Sequence, residues 1–325
     1  MQTMSSAATA DSLPVDPMKS CTPLPDSLGP VFAKELRQGL RAQRFVTPFV
    51  AIQIFAIVAI GAELGLSSFQ NRSGDAGIFG NLITWVIIIG IGIVMPLTNI
   101  AALRPELNDG RNVELLLMSN LNRWQIVRGK WLVGFSLSVL VLISMIPYLL
   151  TRYFVGGVDL VDTMLLLIGL LCANAALTGL AIGASGFGNL LGRFLLVMIG
   201  IFSAMGTFSG ACWRFLAMMG DATGSDAILP GVFAILSGAL VAVLYVTYGL
   251  QLGRARLRLF ENPLDPPASG LIIALIIFTP IVVLVATGIT AGYGAWVGVG
   301  GLLALVLLID RGPGKNAVTA RYSQP

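Results

Sequence analysis

"FVTPFVAIQIFAIVAIGAELGL", residues 45 to 66, decides the fold. Its only charged residue is Glu63, close to its end. About 20 mainly apolar residues, each rising roughly 1.5 Å in a helix, cross the hydrocarbon of a bilayer. The stretch therefore reads as a membrane-spanning helix. The pattern recurs at 78–103, 131–150, 160–184, 194–215, 228–252, 271–288 and 291–309. The expected fold is all-α: a polytopic integral membrane protein with about eight transmembrane helices. Only Ile289 and Thr290 separate the last two runs, which form either a tight hairpin or one kinked segment.

Composition agrees. Of 325 residues, 56% are hydrophobic and 11% charged, and the mean hydropathy is +0.86. Soluble domains carry about 25% charged residues. Charge is scarce here because one ion at a span centre costs roughly 2.5–3.5 kcal/mol on insertion scales. Histidine is absent, which removes His-based triads, His metal ligation and His pH switches. The three cysteines, Cys21, Cys172 and Cys212, have neither metal-ligand spacing nor a disulfide framework. Cys172 reads as a small apolar filler.

Lysine and arginine decide orientation, since they concentrate on the cytoplasmic side. With the N-terminus inside, seventeen of the twenty fall there, and only Arg72, Arg152 and Arg214 outside. Both termini are then cytoplasmic, in a plasma (inner) membrane. Glu63, Asp75, Asp159, Asp162, Asp221 and Asp226 leave the outer face at −3, six acids against three bases. The overall +4 reflects topology and an anionic inner leaflet, with no need for nucleic acid.

Six segments follow. Residues 1–29 are a Ser/Pro/Asp-rich cytoplasmic tail, expected to be disordered, without the apolar core of a signal peptide. The first span is then an uncleaved anchor. Residues 30–44 form an amphipathic helix, with Val31, Phe32, Leu36 and Leu40 on one side and Lys34, Arg37, Arg41 and Arg44 on the other. Such a helix lies flat in the headgroup region, apolar face down. A six-span core occupies 45–252, with a cytoplasmic loop at 104–130. A Pro-rich linker covers 253–270, the two-span addition 271–309, and a second tail 310–325. Glycine pairs four residues apart (Gly179/Gly183, Gly188/Gly192, Gly206/Gly210, Gly294/Gly298) permit close helix approach, within the chain or between two copies.

Several chemistries are missing. "DRGPGKN" at 310–316 lacks the first glycine of a phosphate loop, where Ile309 stands, and has Asn316 for Ser/Thr. "VRGKW" at 127–131 fails likewise. There is no His-Glu-x-x-His, and "GASGFG" at 183–188 is no nucleophile elbow. "NRS" at 71–73 is a bare glycosylation triplet. No cofactor or metal site is expected. Within the spans, Gln53, Asn81, Thr84, Asn99, Asn174 and Thr178 are neutral and suit hydrogen bonds between helices. Without an internal proton or sodium relay, such a chain takes its energy from a partner.

That partner needs a docking surface, and 104–130 is the only long cytoplasmic loop. Val113, Leu116 and Leu117 share one side of a short helix; Ser119, Asn120 and Asn122 break it; Leu121, Trp124 and Val127 begin a second. The order Glu106, then Asn112 to Val127 (NVELLLMSNLNRWQIV), then Gly129-Lys130 resembles the first cytoplasmic loop of ABC-type exporter permeases, the type-2 permease class. Here Arg111-Asn112 replaces the usual Gly-Thr, and Asn120 the usual proline. "AKELRQGLRAQRF" resembles that family's elbow helix, and "SMIPYLL" with Pro147 its third span. The resemblance covers residues 30 to 252; the last two spans are extra.

It implies a transmembrane subunit and no enzyme activity in this chain, with ATP hydrolysis on separate ATP-binding cassette subunits and a second permease subunit, identical or related. Val113, Leu117, Leu121 and Trp124 would pack in the ATPase interface. Glu106, Glu114, Arg123 and Lys130 would make polar contacts or hold the lever to its own chain. Thr84, Asn99, Ser203 and Thr207 would line the path. Two rivals stand beside it: a polytopic scaffold or assembly protein, and an integral-membrane lipid-modifying enzyme using the outer aspartates.

Overall fold

The computed structural model describes residues 29–70, 82–104, 123–155, 160–221, 228–257, 269–290 and 294–310. Their regular structure is entirely helical: α1 (Gly29–Arg41), α2 (Gln43–Gln70), α3 (Leu82–Thr98), α4 (Arg123–Val155), α5 (Leu160–Ser185), α6 (Leu190–Asp221), α7 (Ile228–Arg256), α8 (Ser269–Ile289) and α9 (Gly294–Asp310). Six of these (α2, α4, α5, α6, α7 and α8) are long and apolar enough to cross a membrane. This is a multi-pass membrane protein. Side chains on the outward faces agree: Leu191 is 79% exposed, Phe202 67% and Met205 65%, all along α6. That apolar stripe suits lipid and would be a liability in water.

The second and eighth expected spans are shorter apolar helices, Leu82–Thr98 and Trp296–Leu308. For the second the reason is local. After Thr98 the chain turns tightly, with Asn99 N–H bonded to the Pro96 carbonyl and Ala102 N–H to that of Asn99. Thr98 Oγ1 and Asn99 Nδ2 both donate to the Met95 carbonyl. Such side-chain competition with the backbone ends helices, and hydropathy alone does not register it. The last two runs are separate helices. They pack where Gly298 of α9 meets Val283 and Ala286 of α8.

α3 also carries a π segment, Gly90–Val94, in which Met95 N–H reaches back to the Gly90 carbonyl. A π turn displaces one backbone bond. Fully buried Asn174 of α5 compensates, donating from Nδ2 to the Ile91 carbonyl at 2.5 Å. Asn174→Ala should cost about 1–2 kcal/mol, because the carbonyl loses its donor in an apolar surround. A thermal melt of the purified protein would check this, and an unchanged midpoint would count against it.

Two large apolar clusters fill most of the bundle, with a smaller third at the base of α4. One joins α1, α2, α3, α4 and α5 around Ile52, Ile87, Val141 and Met145. The other joins α5 to α9 around Leu180, Leu244, Tyr245, Ile276 and Val306. Glycine brings the closest pair together. A Cβ built on Gly249 of α7 would lie 2.2 Å from the Gly179 carbonyl of α5, and one on Gly183 only 2.5 Å from the Gly249 oxygen. Gly206 likewise faces Pro280 of α8, and Gly210 faces Val283. Three of the four expected glycine pairs therefore take part in packing inside one chain.

Candidate functional site

The candidate site is the base of α4. The helix starts at Arg123 and runs unbroken to Val155, so the turns after the loop and the third span are one rod. One face of its first turns is buried. Ile126 and Val127 sit with Leu103, Ile182, Leu250 and Leu257, and Trp124 and Trp131 pack alongside. Gly253 of α7 makes room, its Cβ position lying 3.0 Å from Val127. Trp131 Nε1 donates to the Ala175 carbonyl of α5 at 3.1 Å.

Lys130 is the polar hub. Its ammonium lies 3.4 Å from Glu35 of α1 and donates to the Ala102 carbonyl after α3 at 3.0 Å. One side chain thus ties α1, α4 and the end of α3. Beside it, the Leu103 N–H donates to Ser185 Oγ at the end of α5. The α5–α6 turn is held by Arg193, which is 1% exposed and donates to the Phe187 and Gly188 carbonyls. The Arg256 guanidinium covers the Phe187 ring, 3.9 Å from its centroid. Six helices, α1 and α3 to α7, are locked together at this end.

Glu106, Val113, Glu114, Leu117 and Leu121 lie outside the described residues. Arg123 begins α4. Trp124 is half-buried against its own chain, and Lys130 is engaged by α1 and the α3 end. Both therefore connect the loop to the bundle.

The four path candidates fall at three separate sites. Thr84 Oγ1 accepts from Arg152 at 2.6 Å. Asn99 lies against Gly134 of α4, its amide bonded within its own turn. Ser203 and Thr207 come together on α6. Both hydroxyls meet Tyr245 Oη of α7, at 2.7 and 2.8 Å, and Ser203 also donates to the Ile276 carbonyl of α8. Tyr248 Oη meets Thr279 of α8 at 2.9 Å, and Gln251 Nε2 donates to the Val306 carbonyl of α9 at 3.0 Å. This buried seam fastens α8 and α9 to α6 and α7.

The opposite end of the bundle holds a second ion pair. Glu63 Oε2 lies 3.5 Å from Arg152 Nε, with the two side chains 13% and 10% exposed. Glu63 Oε1 accepts from the Ile83 N–H at 2.9 Å. Midway, Gln53 donates to Ser144 at 2.5 Å. Gln53, Thr84 and Asn174 thus all bond between helices. Sequence reasoning missed Glu35, Tyr245 and Tyr248. An acid opposite the loop lysine in an otherwise basic helix was the available signal for Glu35. Nothing in composition marked the tyrosines.

No protein-family model matches the chain, no curated protein is similar to it, and no solved structure matches it.

Proposed function

We propose that this chain is the membrane subunit of an ATP-driven transporter of the ABC exporter type, coupled to separate ATPase subunits on its cytoplasmic face. One observation carries the reading. The helix that begins at Arg123, within the stretch 104–130, is a continuous rod through the bundle, and its base is locked to α1, α5, α7 and the end of α3. A push on the loop therefore moves several spans together. Packed side chains transmit displacement because well-filled interiors have little compressibility. α1 takes the part of the elbow helix.

In this reading Val113, Leu117 and Leu121 seat in the ATPase, while Glu106, Glu114 and Arg123 supply its polar contacts. Trp124 and Lys130 transmit the motion. A second copy or relative completes the path, facing the exposed Phe202 and Met205 of α6. The test is purification of the tagged full-length chain with its partners. An ATP-binding subunit should co-purify, and Leu117→Asp with Glu114→Lys should reduce its yield at least tenfold while the chain still folds. Absence of any nucleotide-binding partner, or a yield insensitive to both changes, overturns the proposal.

A further inference from the structure

The corner between α1 and α2 has a division of labour that a flat amphipathic helix in lipid does not need. Its apolar side is buried on protein: Phe32 is 8% exposed, Leu36 packs into the same cluster, and a Cβ on Gly39 would lie 3.2 Å from Leu137 and 3.7 Å from Val133 of α4. At about 100° per residue, Lys34, Arg37 and Arg41 centre on the side opposite Phe32, Glu35, Leu36 and Gly39. All three are exposed, as is Arg44 in the first turn of α2. Four cations thus point away from the bundle around one break at Ala42.

Their depth decides what they meet. Gly39, between Arg37 and Arg41, packs at the level of Val133 and Leu137, roughly 5–10 Å along α4 from Lys130 toward the centre of the bundle. Immediately beyond Arg44, α2 presents an aliphatic stripe: Val46, Val50, Ile54 and Ile57 are 41%, 46%, 55% and 59% exposed. A cation cluster continuous with a helical apolar stripe matches a ligand with a phosphate at one end and a hydrocarbon chain at the other. A soluble acidic peptide would satisfy the first part and leave the second uncovered.

We propose that the α1–α2 corner is a binding site for anionic phospholipid, with the headgroup phosphate on Lys34, Arg37, Arg41 and Arg44 and the acyl chains along Val46, Val50, Ile54 and Ile57. The site is preorganised because the Glu35–Lys130 ion pair and the Phe32 and Gly39 contacts hold α1 against α4. The proposal rests on the membrane-spanning architecture and is independent of coupling to an ATPase.

The test uses the delipidated full-length chain in neutral detergent, with bound lipid counted by native mass spectrometry and stability followed by thermal melting. Phosphatidylglycerol should be retained and should raise the melting midpoint well above phosphatidylcholine of the same chain length. Changing Arg37, Arg41 and Arg44 together to Gln should weaken phosphatidylglycerol retention at least tenfold, since each surface cation adds to the attraction for anionic lipid. Arg128→Gln, an exposed cation at the base of α4, should not weaken it. If the triple variant does not fold, a salt titration of the wild type decides. Retention must fall between low and high ionic strength, because exposed charges are screened. Equal retention of phosphatidylcholine, a triple variant that binds like the wild type, salt-independent retention, or equal stabilisation by inorganic phosphate or an acidic peptide would each overturn the site.

Discussion

Gly249→Leu should yield no folded protein in detergent, and Gly249→Ala should already lower stability by about 3 kcal/mol, the upper part of the usual range for overpacking. The reason lies in what the new carbon would strike. Overpacked cores normally relieve strain by moving a flexible side chain. Here the obstacle is the Gly179 carbonyl group and the Leu180 nitrogen of α5, at 2.2 and 2.6 Å. Backbone on both sides cannot rotate away, so α5 and α7 must separate as helices. That separation would also draw Tyr245, Tyr248 and Gln251 of α7 from their partners on α6, α8 and α9. Gly61→Ala and Gly270→Ala are the controls, since a Cβ at either position has nothing within 4 Å. Melting midpoints for the three alanine variants check the prediction, and equal midpoints would refute the backbone contact.

The second large effect belongs to the ion pair of α2 and α4. Arg152→Met should cost about 3 kcal/mol, because it leaves Glu63, only 13% exposed, with an uncompensated charge. Adding Glu63→Gln should recover most of that loss. The glutamine removes the charge but keeps an acceptor for the Ile83 N–H, which Glu63 Oε1 now receives. Replacing both ions by neutral groups is often nearly neutral, whereas removing one is not. A double-mutant cycle on thermal or denaturant stability measures the coupling. Two independent, additive losses would show that the pair does not interact.

How far the fold could be read depended on what each signal senses. Hydropathy located the runs that became α2, α4, α5, α6, α7 and α8, since lipid imposes length and apolarity on any spanning helix. It overextended the second span, because the turn at Asn99 is made by side-chain hydrogen bonds and not by a change in polarity. It split α4 at Trp131. Helix formation there is secured by burial of Trp124, Ile126 and Val127 against Leu103, Ile182, Leu250 and Leu257, none of them near in the chain. The glycine spacing at 179 and 183 signalled a close helix approach; its partner, Gly249, has the same spacing to Gly253, a pair the sequence reading passed over. For the candidate site, Lys130 and Trp124 were legible as part of a loop pattern. Their real partners, Glu35, the Ala102 carbonyl and Leu103, come from elsewhere in the chain, and no spacing rule connects them.

The two ion pairs on α4 also set a length. Lys130 and Arg152 are 22 positions apart on one continuous helix, which at 1.5 Å per residue places them about 33 Å apart. The hydrocarbon layer of a typical bilayer is about 30 Å thick. Each end is pinned to a neighbouring helix by an acid, so neither can slide inward without carrying a charged pair into hydrocarbon. In a thinner membrane the rod must lean instead. Because its base is fastened to three other helices and to α1, that lean would shift the Arg123 end of α4 sideways. If α4 couples to an ATPase as proposed, bilayer thickness acts on the same helix, through geometry alone and needing no ligand.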